Sequence, residues 1–321
     1  MYKKLTFISL NLFLLSIIFL LYTKILHKNN EGLSLIKKEN FNFFHNDNLK
    51  YFYEPKANSI IFDHAWIKHD GKAHINEDTL NERYNYPIER SPNIFRIIAL
   101  GDSFTYGLYV DTKDNWVEQL EDDLNSKHCL KVNKFEVINL GVQGYDPQYT
   151  VERYKRRGIK YRPDLILWLL VKNDMLRINE LTIPLADKYT VEMKKLGQFD
   201  YLVQHSNPYP AWRLAMETVI KKYGEAQILN HQIDQFRKLD DYYHGPLLIF
   251  ALPNIANEDS KLIANFIRTK KNGYFFDSIT DIYKERDMYF FGNGHPTKQG
   301  YKEIEKSLVS YLFYKNIIPC N

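Results

Sequence analysis

Ser103 stands in a Gly101-Asp102-Ser103 turn directly behind an apolar run of strand length, Ile97-Ile98-Ala99-Leu100, and an amphipathic helix pattern follows a few residues later. That places a hydroxyl at the carboxyl end of a buried strand, the edge where open α/β sheets hold ligands. A serine hydroxyl is a weak nucleophile unless a neighbouring base takes its proton, and a histidine such as His295, whose ordinary pKa is near neutrality, suits that task. Attack on a carbonyl creates a negative oxygen, which preorganised donors stabilise. The loop Gly141-Val142-Gln143-Gly144 and the side chain of Asn173 can provide them, glycine by letting backbone approach closely and asparagine as a neutral donor. The chemistry open to such a set is acyl transfer through a serine.

The elements needed to position these residues are legible as alternating patterns. A first core strand over 95–100 precedes Ser103, and the next helix opens at Asn115, with Glu118 three residues on and Trp116, Val117, Leu120 and Leu124 in one apolar stripe. A second strand over 135–140 leads into the glycine loop, after which Asp146 and Pro147 start a helix that closes at Gly158. The third strand, 164–171, is apolar on both faces, as a parallel strand between two helical layers must be. Residues 175–209 have no strong period and read as a lid or substrate wall. Helical pattern returns over 211–243, then a strand over 246–252, a helix over 260–271, a short strand over 274–276, and a last helix begun by Thr297 with Ile304, Leu308 and Leu312 on one side. Strands alternating with helices predict a doubly wound parallel sheet with right-handed crossovers. Such a sheet gathers Ser103, Gly144, Asn173 and His295 on loops of a single rim.

Four blocks together carry a family resemblance: Gly101-Asp102-Ser103-Phe104-Thr105-Tyr106-Gly107, Asn139-Leu140-Gly141-Val142-Gln143-Gly144, Asn173-Asp174, and His295-Pro296 with Gly300. In order and spacing, over roughly residues 95–315, the chain resembles the SGNH (GDSL-type) hydrolase superfamily. The resemblance implies a flavodoxin-like three-layer α/β/α domain around a central parallel sheet, and an ester-cleaving serine enzyme. It further implies Ser103 as nucleophile, His295 as base, an oxyanion hole made by the Ser103 amide, the Gly144 amide and the Asn173 side chain, and neither metal nor other cofactor.

Two departures from the family pattern matter. Val171 stands where glycine is common, and Gly292 and Asn293 occupy the positions before His295 where an aspartate is usual. An aspartate there keeps the imidazole in the useful tautomer, and converting it to asparagine in a comparable triad costs about 10⁴ in turnover. Asn293 through its amide oxygen, a backbone carbonyl, or Asp287 can take over that contact. The expectation is a Ser103–His295 dyad of modest activity, or a site specialised away from fast hydrolysis. Three functions are compatible with it: an esterase removing O-acyl groups from cell-envelope glycans or lipids, an O-acyltransferase of surface polysaccharide working through the same serine, and an inactive binding module of the same fold.

At the amino terminus, Lys3 and Lys4 precede an apolar run over residues 5–22, roughly the length that crosses a bilayer as a helix. No Ala-x-Ala pattern closes the run, which favours an uncleaved signal anchor with the amino terminus inside and the domain outside the cytoplasm, periplasmic or extracellular. The chain therefore divides into a cytoplasmic tip and transmembrane anchor (1–27), a stalk leading into a small accessory region (28–93), and the hydrolase-like domain (94–321). Hydrophobic residues make up 45% of the chain and aromatic residues 15%, enough for a sizeable core. The net charge of +4 is spread without a dense basic block, which argues against nucleic acid as a partner, and Lys155-Arg156-Arg157 reads as a solvated helix end. The expected partners are an acylated small molecule, glycan or lipid as substrate and the membrane through one helix; oligomeric state is left open. Only two cysteines occur, Cys129 and Cys320, without zinc-site spacing. In a flavodoxin-like order they follow the first and last helices of one face, so a disulfide is open to them.

Overall fold

The computed structural model describes residues 49–63, 71–127, 129–205, 209–252, 257–276, 289–291 and 294–320. The apolar run at 5–22, and with it the expected anchor, lies outside the described residues, as do Asp287, Gly292 and Asn293. Among the described residues no helix is long and apolar enough to cross a membrane.

Five parallel strands form the central sheet: β3 (Ile94–Leu100), β4 (Lys134–Asn139), β5 (Leu165–Leu170), β6 (Leu247–Ala251) and β7 (Gly273–Phe276), in the spatial order β4-β3-β5-β6-β7. With β1 (Ser59–Asp63) and β2 (Gly71–Ile75) set aside, this is the doubly wound order whose switch point falls between the first and third strands of the sheet. Successive side chains of a strand point to opposite faces, and the core divides accordingly. Ile97, Ala99, Leu167 and Leu169 pack with Trp116, Leu120 and Leu124 of α2 (Trp116–Ser126) and Ile304, Leu308 and Leu312 of α10 (Lys298–Tyr314). Ile98, Leu100, Ile166 and Trp168 pack on the other side with Val151 of α3 (Pro147–Arg153), Phe236 of α8 (Glu225–Leu239) and Ile263 of α9 (Asn257–Arg268). These two faces make the three-layer α/β/α architecture. Side-chain caps start the helices where the sequence places them: Asn115 accepts from the Glu118 amide, Asp146 from the Tyr149 amide and Thr297 from the Gly300 amide.

The segment 175–209 has the weak apolar period read from the sequence and is nonetheless not a loop. Most of it is helical, as α5 (Asn179–Lys195) and α6 (Phe199–His205), and α5 packs on α7 (Pro210–Tyr223). Its apolar period is weak because Asn179, Glu180 and Thr182 occupy buried positions of α5 and are hydrogen-bonded there, so polar residues stand where apolar ones would mark the stripe. The helical pattern over 211–243 is likewise two helices, α7 and α8, broken at Gly224 with φ +80°.

Residues of the accessory region pack directly on the domain. β1 and β2 form an antiparallel pair, and Ala73 and Ile75 of β2 pack with Tyr106, Leu108 and Tyr109, just beyond Ser103. The basic cluster is less solvated than expected: Arg157 pairs with Glu54 at 2.7 Å and Asp78 at 3.2 Å, holding the accessory segment against the domain. Cys129 and Cys320 are joined, with their Cα atoms 4.5 Å apart, just past α2 and α10.

Candidate active site

Register aligns the edge on which the site is built. Ala99 pairs with Asn139 and Leu100 with Trp168, so the turns leaving β3, β4 and β5 open side by side. Behind β3 the chain turns at Gly101, φ +148°, where a Cβ would stand 2.3 Å from Thr105 Oγ1 and 2.8 Å from the Leu169 carbonyl oxygen. The short helix α1 (Ser103–Tyr106) starts at once, with the Asp102 carboxylate accepting from the Phe104 amide at 2.9 Å. Ser103 is thereby held, buried, at the first position of α1.

His295 arrives from the far end of the chain on a tight turn. The Phe291 amide donates to the His295 carbonyl at 2.8 Å, the Gly294 amide to the Phe291 carbonyl at 2.7 Å, and Thr297 then opens α10. Gly300 is needed here because a Cβ would lie 2.1 Å from the Tyr289 carbonyl oxygen. The result brings Ser103 Oγ to 2.9 Å from His295 Nε2. The imidazole is stacked on Phe104, with ring centroids 4.9 Å apart, and takes Tyr109 edge-on at 5.2 Å. Burial, and after it the Arg177 charge, pull its pKa down to about 4, so the ring is neutral at physiological pH and Nε2 can accept the serine proton. Asp102 Oδ2 lies 3.3 Å from the same hydroxyl as a second acceptor.

On the neighbouring loop Gly144 adopts φ +77°. The loop is held at several points: the Gly141 amide donates to Asn139 Oδ1 at 2.9 Å, the Val142 amide to the Gly101 carbonyl at 3.3 Å, and Asn179 Nδ2 to the Gly144 carbonyl at 2.8 Å. Asn173 stands exposed on α4 (Lys172–Met175), directly after β5. Among the described residues nothing accepts from the N–H of Ser103 or Gly144 or from the Asn173 amide, which leaves three donors on the rim. Of the two residues considered for orienting the imidazole, Asn293 and Asp287, both lie outside the described residues.

The structure gives Asp174 of the third block a place and adds Arg177, Tyr109 and Tyr53, which motif reading did not single out. Asp174 accepts from the Val171 amide at 3.1 Å and Arg177 Nη2 lies 3.4 Å from its other oxygen. Burial, then the charge of Asp102, push the Asp174 carboxyl well above its ordinary range. Arg177 is buried, and its Nη1 donates to the Tyr145 carbonyl at 3.3 Å. Its spacing three residues beyond Asp174 is the one sequence signal that could have pointed to it. Tyr109 and Tyr53 carried none, since their contacts with His295 and the glycine loop arise only on folding. Among the described residues no cluster of His, Cys, Asp or Glu could hold a metal ion.

A serine at the switch-point edge of a five-stranded parallel sheet, paired with a neutral histidine, defines the ester-hydrolase class of flavodoxin-like enzymes. The profile of the GDSL-like lipase/acylhydrolase family matches residues 99–303, and the chain belongs to that family as a hydrolase acting on ester bonds. Among solved structures it is similar to the psychrotrophic esterase EstA from Pseudoalteromonas sp., at 18% identity over 70% of this chain and 99% of that one, with a TM-score of 0.41. It is also similar to an acetylxylan esterase from Geobacillus stearothermophilus, at 12% identity over 70% and 95% of the two chains (TM-score 0.40). A two-domain esterase active on acetylated mannans aligns at 12% identity over 71% of this chain and 51% of that one (TM-score 0.42). No curated protein matches the chain in sequence.

Proposed function

We propose that this protein is a membrane-anchored serine esterase that removes acyl groups from O-acylated glycans or lipids of the cell envelope, working outside the cytoplasm. The observation that carries the mechanism is the 2.9 Å approach of Ser103 Oγ to the Nε2 of an imidazole held neutral. His295 takes the serine proton as Oγ attacks the ester carbonyl, a role worth about 10² to 10⁴ in rate. The negative oxygen is met by the Ser103 and Gly144 amides and the Asn173 side chain, each donor worth about 10² to 10³ in turnover. His295 returns the proton to the departing alcohol, leaving an acyl-Ser103 ester, and the same imidazole then activates water to release the acid. The apolar run over 5–22 supports the anchoring and a domain facing the envelope.

The test is p-nitrophenyl acetate hydrolysis by the full chain in detergent beside Ser103→Ala, with a fluorophosphonate probe to label the nucleophile. Loss of at least about 10³ in turnover and of labelling in Ser103→Ala is expected. Wild-type turnover in that variant sinks the mechanism. Release of free acetate from an acetylated glycan separates hydrolysis from transfer, in which acetyl would reappear on an added bare glycan.

A further inference from the structure

The N–H assigned to the oxyanion at Gly144 belongs to the peptide unit whose carbonyl is that of Gln143. That carbonyl is gripped from outside the family segment: the Tyr53 hydroxyl donates to it at 2.5 Å. The peptide bonds of the described structure are trans, so the oxygen and the hydrogen of one unit point in opposite directions, and fixing one fixes the other. Gly144 gives this unit unusual freedom, since a residue without a side chain at φ +77° places little steric barrier against its rotation. Neighbouring groups of the loop are tied elsewhere, Gly144 O by Asn179 and Tyr145 O by Arg177, and Tyr53 is the partner of the Gln143 oxygen.

Tyr53 is itself held firmly. The Tyr145 hydroxyl donates to the Tyr53 carbonyl, and the Tyr53 ring meets Tyr145 edge-on at 5.2 Å. The next residue, Glu54, is paired with Arg153 and with Arg157, while the Lys50 and Tyr51 amides donate to the Glu180 carboxylate at 3.1 and 2.9 Å. Burial raises the phenol pKa, which keeps the hydroxyl a donor throughout the working range of an esterase.

Resting on the serine mechanism above, we propose that Tyr53 is a positioning residue for the oxyanion hole, orienting and polarising the Gln143–Gly144 peptide so that its N–H meets the developing charge. Donation to the carbonyl oxygen also strengthens the hydrogen bond that the N–H of the same unit can give.

The test compares Tyr53→Phe with Phe52→Leu, a change in the same arm that thins the same aromatic packing on Tyr145 and Tyr149 without touching a hydroxyl. Steady-state hydrolysis of p-nitrophenyl acetate by the full chain is expected to show kcat down about 10-fold or more in Tyr53→Phe, with KM within about 2-fold of wild type. The acid limb of its kcat/KM profile should not move, and Phe52→Leu should keep wild-type turnover. Equal losses in the two variants, wild-type kcat in Tyr53→Phe, or a Tyr53→Phe chain that no longer folds overturns the proposal, because each makes the hydroxyl a purely structural contact. Ser103→Ala serves as the reference: if it is dead while Tyr53→Phe is unaffected, only the role of Tyr53 fails, and if it is active the serine mechanism fails first.

Discussion

His295 enters the site already neutral, and in the role proposed for it this sets the expected pH behaviour of the enzyme. With its pKa near 4, kcat/KM should stay level from neutrality down to about pH 5 and fall by half near pH 4, as the base is protonated. A pH–rate profile checks this, and a half-point near 6.5 would show an imidazole outside the buried pocket. Gly144→Ala is expected to lower kcat by about 10² or more, since φ +77° strains any side chain and the new Cβ would stand 2.9 Å from the Tyr53 hydroxyl; the measurement is kcat at a temperature where the variant is folded, beside a Tm that the same strain lowers by a few degrees. Ser103 and His295, which the structure brings together, could be singled out before folding, as could the candidates Gly144 and Asn173, because each stands in a short local block with a recognisable turn or cap. Tyr109 and Tyr53 could not be, because a long-range contact leaves no mark in the residues flanking either partner, and Arg177 shows in the sequence only through its spacing from Asp174.

At the level of elements, α2 meets the accessory region across a buried acidic cluster. Glu121 accepts from the Val137 amide at 2.7 Å and the Tyr86 hydroxyl at 2.8 Å, and Glu82 takes the Asn139 amide. Burial raises the Glu121 pKa to about 7. The folded state therefore binds this proton more tightly than the unfolded chain, so its contribution is full below about pH 4.5 and is lost as pH rises through about 7. His295 has the opposite sign: its folded pKa lies below the unfolded value near 6.5, so its contribution is full above 6.5 and is lost as pH falls through about 4. Glu121→Gln removes the first slope and leaves the second, and its Tm relative to wild type should climb from pH 5 to pH 8, by an amount on the order of 3 kcal/mol in stability. A constant difference across that range would show that the carboxyl ionises freely. The strands and most helix starts were legible in the sequence because double-faced apolar runs and the caps Asn115, Asp146 and Thr297 are local signals. The helix α5 was hidden by the buried polar residues that tie it to the rim.

Across the whole molecule, the Cys129–Cys320 link joins residues 191 apart in sequence and ties the ends of the two helices that cover one face of the sheet. Restricting so long a loop in the unfolded chain is worth about 2 to 5 kcal/mol, so the double change Cys129→Ser with Cys320→Ser should lower Tm by several degrees, as should a reductant acting on wild type. Identical melting with and without reductant would show that the link adds no stability. A second feature of the architecture bears on how substrate preference can change. Among the described residues, Ile178, Leu185, Tyr189, Ala215 and Val219 bury one another in a cluster to which no strand of the sheet contributes. Substitutions among those apolar side chains leave the two apolar layers of the sheet in place, while Tyr209 at the edge of the annex meets Tyr109 hydroxyl to hydroxyl at 2.7 Å, beside the His295 imidazole. Changes there carry the usual cost of altering a buried cluster, but that cost falls outside the sheet, so new shapes can be tried at the mouth of the site while the strands that carry Ser103 are kept.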